Sequence, residues 1–222
     1  MLFFVRYPGW GRRFNNKIIL IILVAGMPAH SIYETIRTKI LQKLSDQLSE
    51  DLFYHSIQHT LDVETQAERI ALSEQIYDPH ELFLLKTACL YHDSGFMVTY
   101  RDHEIAGCNL VKEELPGYGF NDEEINIICG LIMATHIPQT PLTKLEEIIC
   151  DADLDYLGRD DFFPISNDLF TELRTRKLLA TKKDWDEIQV KFFNQHKYFT
   201  ETNKQLREQQ KQQHLEMIKA ML

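Results

Sequence analysis

The sequence has little positive charge for its length. Its 222 residues contain 24 lysines and arginines against 33 aspartates and glutamates, which gives a formal net charge of -9. An electrostatic field of that sign repels the phosphate backbone of nucleic acids, so neither DNA nor RNA is expected as a primary partner. A small anionic ligand would need metal ions or a local basic pocket to bind to this chain.

Cysteine is scarce, and its spacing matches no metal or redox motif. The chain has 4 cysteines, and none of them forms a C-x-x-C pair. All lie in segments that read as apolar helix, so we expect small buried hydrophobic residues in a reducing compartment. Disulfides and a zinc knuckle are disfavoured. The cysteines are Cys89, Cys108, Cys129 and Cys150.

The apolar run near the N-terminus is too short to span a bilayer. Residues 18–27 follow Arg6, Arg12 and Arg13, and together they resemble the charged and apolar parts of an export signal. A signal peptide, a membrane-associating segment and a wrongly assigned start all stay open. We expect residues 1–30 to be an accessory extension. We expect residues 31–222 to be a cytoplasmic domain, with membrane contact limited to that extension.

Strand patterns are also missing, and the chain reads as a series of helices. Apolar residues recur at helical spacing between residues 32 and 48. Asp78 and Pro79 supply a cap and a first-turn proline for a helix that ends at His92 and Asp93. The fold class predicted is all-α, a helical bundle. Further helices are predicted at residues 52–72, 103–114, 122–135, 145–157, 168–179, 184–194 and 202–221.

Histidine and aspartate interrupt these apolar helices. In YHSIQHTLDV, His55 and His59 are four residues apart and therefore share a helical face that points toward the core. His92 and Asp93 are adjacent, and adjacent helical residues face one point only where the helix ends or distorts. Gly95 would allow the chain to turn away there. A shared metal ion explains why a helix would end in this way.

Several more polar residues suit a divalent metal. Imidazole and carboxylate groups together favour manganese, iron, cobalt, nickel or zinc, and favour magnesium less. Singly, each has a structural explanation: a lone helical His is usually hydrogen-bonded, and an Asp often caps a helix. The ordered set His, His-Asp, Asp would rarely coincide by chance. The additional candidates are His103, His136, Asp151, Asp153 and Asp155.

With these residues the chain resembles the HD-domain superfamily of metal-dependent phosphohydrolases. The signature of that superfamily is His, then His-Asp, then Asp on a helical core. By position these are His59, His92 with Asp93, and Asp153. Asp153 is preferred to Asp151 because family members commonly show an Ala-Asp pair at this point. The resemblance therefore implies an all-helical fold with a divalent metal site.

The resemblance extends over residues 31–222 and implies two more ligands, His103 and His136. Such ligands are typical of dinuclear subfamilies, including dinucleoside-tetraphosphate hydrolases and HD-GYP cyclic-dinucleotide phosphodiesterases, although the Gly-Tyr-Pro motif is missing here. YHSIQH also resembles the YHNxxH opening of class I cyclic-nucleotide phosphodiesterases. That likeness implies that His55 protonates the leaving oxygen, although Ser56 replaces the Asn.

The activity implied is hydrolysis of a phosphoester or phosphoanhydride in a small, nucleotide-like substrate. Two divalent ions bridged by Asp93 would activate the water, which makes Asp93 catalytic as well as a ligand. Lys86 and Arg159 are candidate substrate contacts, although solvated or structural roles explain both. Asp62 and Glu104 are candidates for orienting the imidazoles.

Two other classes of function stay open. The superfamily includes di-iron oxygenases with the same ligand set, and oxygen consumption by iron-loaded protein would separate them from hydrolases. A non-catalytic module that senses a nucleotide is the second, and retention of every candidate ligand argues against it. The sequence specifies neither the substrate nor the oligomeric state.

Overall fold

The computed structural model describes residues 29–222, which form α-helices and short 3-10 helices with no β-strand among them. The predicted all-α fold is confirmed. The expected accessory extension lies outside the described residues except for Ala29 and His30, which begin the first helix. The α-helices are α1 (Ala29–Gln47), α2 (Ile57–Ser73), α3 (Pro79–Tyr91), α4 (His103–Glu114), α5 (Asp122–Ala134), α6 (Lys144–Asp153), α7 (Phe162–Thr175), α8 (Lys182–Gln195) and α9 (Glu201–Lys219). The 3-10 helices are Ser94–Met97, Leu115–Tyr118 and Asp155–Gly158.

Two helices begin more than one turn away from the residue that the sequence pattern predicts. Helix α2 begins at Ile57 rather than residue 52, because Ser56 is extended and its side chain accepts a hydrogen bond from the backbone N of His59. Helix α7 begins at Phe162 rather than residue 168. Pro164 falls in its first turn, where a missing N–H leaves no helical hydrogen bond unmade. The predicted helix at residues 145–157 ends at Asp153 and continues as a 3-10 helix.

Helix α3 lies in the main hydrophobic core, between α1, α2 and α5. The apolar side chains in its second half, among them Leu85 and Leu90, are fully buried, whereas Leu82 and Phe83 in its first half are partly buried. A second buried cluster joins α7, α8 and α9 to the 3-10 helix at Asp155–Gly158 and includes Phe162 and Phe193. Among residues 29–222, no helix combines the length and the apolar character that a membrane crossing requires.

Candidate metal centre and cavity

His92 and Asp93 lie where α3 ends, as the sequence predicts. His92 keeps helical backbone angles as the C-terminal cap, whereas Asp93 has left the helix with φ -100 and ψ 2. This change in backbone conformation turns the two neighbouring side chains toward one point. The Nε2 atom of His92 lies 3.3 Å from Oδ2 of Asp93.

Two more side chains from distant helices reach the same point. Nε2 of His59, in the first turn of α2, lies 3.3 Å from Nε2 of His92 and 3.4 Å from Oδ2 of Asp93. Oδ1 of Asp153, at the end of α6, lies 3.1 Å from Nε2 of His59 and 3.8 Å from Nε2 of His92. Ligand atoms about 2.1 Å from one ion are separated by about 3.0 to 3.4 Å, so the atoms of His59, His92 and Asp93 are spaced as the ligands of a single cation. Asp153 lies beside this group, closer to His59 than to His92.

The hydrogen bonding of the cluster also fits a divalent cation. Nδ1 of His92 lies 2.8 Å from the carbonyl oxygen of Cys89, which fixes the proton there and leaves Nε2 facing the cluster. Oδ2 of Asp93 is buried and has no hydrogen-bond partner among residues 29–222. A buried carboxylate oxygen without a donor is costly unless a cation approaches it. The described residues therefore fit a metal ion.

The electrostatics of the cluster agree with this reading. Burial by itself lowers the pKa of His92, but the carboxylates of Asp93 and Asp153 outweigh it and raise that pKa to about 9. Burial opposes ionisation of Asp93, yet His92 and His103 hold the pKa of its carboxyl well below the usual value. The site thus favours positive charge at its centre.

His103 faces the second oxygen of Asp93. Its Nε2 lies 3.4 Å from Oδ1 of Asp93 and 3.5 Å from Oε1 of Glu104, which is buried. The two carboxylate oxygens of Asp93 therefore face different imidazoles, an arrangement that suits a bridge between two ions. Glu104 lies beside the ligating nitrogen, so its position suits a ligand better than the orienting role expected from the sequence.

Gly95 allows the close approach of α4. A Cβ at Gly95 would lie 1.8 Å from the carbonyl oxygen of His103 and 2.8 Å from the backbone N of Gly107. Gly95 is therefore needed because backbones touch, and not because the chain must turn as the sequence suggested. The contact places the start of α4, with His103, against the end of α3.

His55 is held beside the metal ligands by a residue that sequence reasoning missed. Oε1 of Glu172, on α7, lies 2.5 Å from Nδ1 of His55 and accepts a hydrogen bond of 2.9 Å from the hydroxyl of Tyr100. Its other oxygen accepts from the backbone N of His55 and of Tyr54. Glu172 is fully buried, and although burial opposes its ionisation, the bonds from His55 lower its pKa. No local motif marks this glutamate.

Three other candidate ligands lie away from the cluster. His136 follows the end of α5, and its side chain is exposed to solvent, so this arrangement does not support the predicted ligand role. Asp151 accepts hydrogen bonds from the backbone and the hydroxyl of Thr200, at the start of α9. Asp155 is buried and accepts a hydrogen bond from Arg207. Both aspartates join α9 to the helices that carry the site.

The basic residues predicted to bind substrate are paired with carboxylates. Nζ of Lys86 lies 3.1 Å from Oε2 of Glu68. Nη1 of Arg159 lies 2.7 Å from Oδ2 of Asp62, and its Nη2 lies 2.8 Å from Oδ2 of Asp161. Neither is among the described residues that line the cavity into which the cluster opens, and Arg159 instead lines a smaller cavity with His59 and Asp62. The predicted contact of these residues with substrate stays a prediction. Asp62, bound to Arg159, does not orient an imidazole.

The cluster opens into a cavity of about 480 Å³ between α6, α7 and α8. Its wall has a polar part, which includes candidate ligands, and an apolar part. His55, Asp93, His103, Glu104 and Asp153 line the polar end, and Leu157, Phe162, Leu173, Trp185, Ile188 and Phe192 are among those that line the rest. A volume of this size is typical of small-molecule sites.

Comparisons with known proteins agree with this geometry. Residues 56–155 match the family model of the HD domain. A predicted HD superfamily hydrolase from an uncultured Thermotogales bacterium superposes with a TM-score of 0.55 at 22% identity, covering 83% of this chain and 90% of that one. A Lactobacillus plantarum protein superposes with a TM-score of 0.61 at 19% identity, covering 86% and 96%. These likenesses show the fold.

A curated relative matches a shorter stretch. An uncharacterised protein of Clostridium beijerinckii is 36% identical over 77 residues, which is 33% of this chain. The match spans about half, 48%, of that relative.

Proposed function

The chain belongs to the HD-domain superfamily, and on that premise we propose that it is a metal-dependent phosphohydrolase that cleaves a phosphoester of a small organic substrate. The observation that carries the proposal is the convergence of His59, His92 and Asp93 on one point, with Asp153 beside His59, at the polar end of a small-molecule cavity. A nucleotide-like substrate, as expected from the sequence, stays a prediction.

The roles of the polar residues follow from their positions. His59, His92, Asp93 and Asp153 would hold one divalent ion, and Asp93 with His103 would contribute to a second. Ions bound there supply positive charge for the phosphoryl oxygens and lower the pKa of a bound water. The Cys89 carbonyl keeps His92 in the tautomer that presents Nε2 to the site.

His55 is positioned to move a proton. Glu172 binds Nδ1 of His55, so the other ring nitrogen is free for a substrate in the cavity that His55 lines. A buried carboxylate at Nδ1 stabilises the imidazolium and fixes the ring orientation, as a general acid requires. We assign to His55 the transfer of a proton to the leaving oxygen.

A hydrolysis screen tests this function. Purified protein supplied in turn with manganese, cobalt, nickel, iron and magnesium would be incubated with alkyl phosphates, nucleoside monophosphates, cyclic nucleotides and dinucleoside polyphosphates, and products separated by chromatography. We expect metal-dependent hydrolysis that is lost in Asp93→Asn. Metal-loaded protein that hydrolyses none of these, and that consumes oxygen when loaded with iron(II), would contradict the proposal in favour of an oxygenase.

A further inference from the structure

The cavity offers little positive charge of its own. Asp93, Glu104 and Asp153 bring carboxylates to its polar end, and among the described residues that line it there is neither lysine nor arginine. Arg159, a candidate substrate contact from the sequence, already donates hydrogen bonds to the carboxylates of Asp62 and Asp161. Metal ions would therefore have to neutralise most of the charge of any anion that binds there.

The shortage of positive charge in the cavity wall disfavours substrates with several phosphates. A phosphoryl group beside the candidate ligands would have its charge met by the ions. Further phosphates would extend into the cavity, where a desolvated charge without a partner is costly. A substrate with one phosphoryl group avoids that cost.

Beyond the polar end, the described residues of the wall are apolar except for Thr135, the tyrosines Tyr54 and Tyr156, and the buried amide of Gln189. That amide already has hydrogen-bond partners in the protein. Oε1 of Gln189 accepts a hydrogen bond of 2.6 Å from the hydroxyl of Ser166, and its Nε2 donates one of 3.1 Å to Asp186. Ser166 in turn accepts a hydrogen bond from the indole of Trp185. The side chain that looks most able to bind a polar substrate group is thus engaged with the protein.

We infer that the substrate is an ester of a single phosphoryl group with an uncharged, apolar organic group, and that α7 and α8 bind the organic group. This inference rests on the proposed function. In the reaction, the oxygen of water forms a bond to phosphorus as the bond from phosphorus to the ester oxygen breaks. His55 donates a proton to that departing oxygen, the attacking water releases a proton to solvent, and His55 regains one from solvent, so the products are an apolar alcohol and phosphate.

A homologous series measures the apolar contribution. Ethyl, butyl and hexyl phosphates have similar leaving groups, so the chemistry is nearly constant while buried apolar area grows. We expect kcat/KM of the manganese-loaded protein to rise about fourfold per added methylene. We also expect kcat/KM for adenosine triphosphate to be at least about tenfold below that for hexyl phosphate. A change below about twofold across the alkyl series would overturn the inference.

Binding of inert analogues separates this inference from the proposed function. The affinities of ethyl-, butyl- and hexylphosphonate for the manganese-loaded protein would be measured by titration calorimetry. Affinity that rises with chain length supports the apolar site even if no ester is hydrolysed, a result that would contradict only the hydrolase. Affinity independent of chain length, together with metal-dependent ester hydrolysis, would contradict only the inference.

A substitution in the cavity wall tests whether the alkyl group binds there. Ile188 lines the cavity from α8 and is 45% exposed, so Ile188→Gln should fold normally. We expect it to lower the ratio of hexyl to ethyl phosphonate affinity by at least about fourfold. Leu206→Gln on α9, where the side chain is 52% exposed and away from the cavity, is the matched control and should keep the full ratio. Equal ratios in the two variants would overturn the assignment of this wall.

Discussion

The buried carboxylate of Glu172 lies 2.5 Å from Nδ1 of His55, although the two residues are 117 positions apart in the sequence. The same carboxylate accepts hydrogen bonds from the backbone N atoms of Tyr54 and His55, so it holds both the ring and the loop that carries it. Glu172 is a positioning residue, because it acts on the reaction through His55.

Replacing this carboxylate should separate proton transfer from metal binding. In Glu172→Gln, we expect kcat on an alkyl phosphate to fall about 10²-fold, because His55 loses the partner that stabilises its protonated form. With p-nitrophenyl phosphate, whose leaving group needs no proton, the loss should be much smaller, and metal content should be unchanged. The exposed Glu187→Gln on α8 is the control. An equal loss with both substrates would indicate that Glu172 supports the fold alone.

The contact between Gly95 and α4 makes a prediction about stability. A methyl group at residue 95 would overlap the carbonyl oxygen of His103, so α4 must shift in Gly95→Ala. We expect the free energy of unfolding to fall by about 2 to 4 kcal/mol, and metal affinity to fall as His103 moves. Gly117→Ala is the control, because no atom of the described part of the chain lies within 4 Å of the added Cβ. Urea denaturation measures the free energy of unfolding of both variants. Similar free energies in Gly95→Ala and Gly117→Ala would contradict the contact.

Glu74 joins α2 to α6 and α9, and its ionisation should contribute to stability. It accepts hydrogen bonds from the backbone and the hydroxyl of Thr202, and its other oxygen lies 2.7 Å from Nζ of Lys144. Burial alone would raise the pKa of Glu74, but these partners outweigh it and lower that pKa from 4.5 to about 2.

The sign of the pH effect follows from that lowered pKa. The carboxylate stabilises the folded chain fully above pH 4.5, and this stabilisation is lost as the pH falls toward 2. Glu74→Gln should lower the free energy of unfolding by about 1 to 3 kcal/mol at pH 7, and by less at pH 3. Denaturant unfolding at both pH values measures this. If Glu74→Gln lowers the free energy of unfolding by the same amount at pH 7 and at pH 3, that result would contradict a lowered pKa of Glu74.

The sequence predicts the helical fold and most of the candidate ligands because both depend on local patterns. The end of α3 at His92 and Asp93 follows from two polar residues after an apolar run, and His59 and Asp153 follow from a family motif. The structure brings these side chains together at one point.

What the sequence does not predict depends on contacts between distant segments. Glu172 looks like any helical glutamate until α7 packs beside the loop at His55. Helix α7 begins at Phe162 without a side-chain cap hydrogen bond, so no local capping motif marks its start, and Pro164 in its first turn is compatible with a helix. The pairing of Arg159 with Asp62 likewise depends on tertiary packing, and the position of a basic residue close to the motif does not reveal that partner.

Dependence of hydrolysis on metal bound by Asp93 tests the account most directly. Metal-depleted wild type, Asp93→Asn and Asp122→Asn would be titrated with manganese while phosphate release from hexyl phosphate is followed and bound metal is measured. Asp122 is exposed at the start of α5 and serves as the matched control. We predict that activity and bound manganese rise together in the wild type and in Asp122→Asn, and that both are lost in Asp93→Asn while helicity is kept. Asp93→Asn protein that binds manganese and hydrolyses the ester like the wild type would contradict the account.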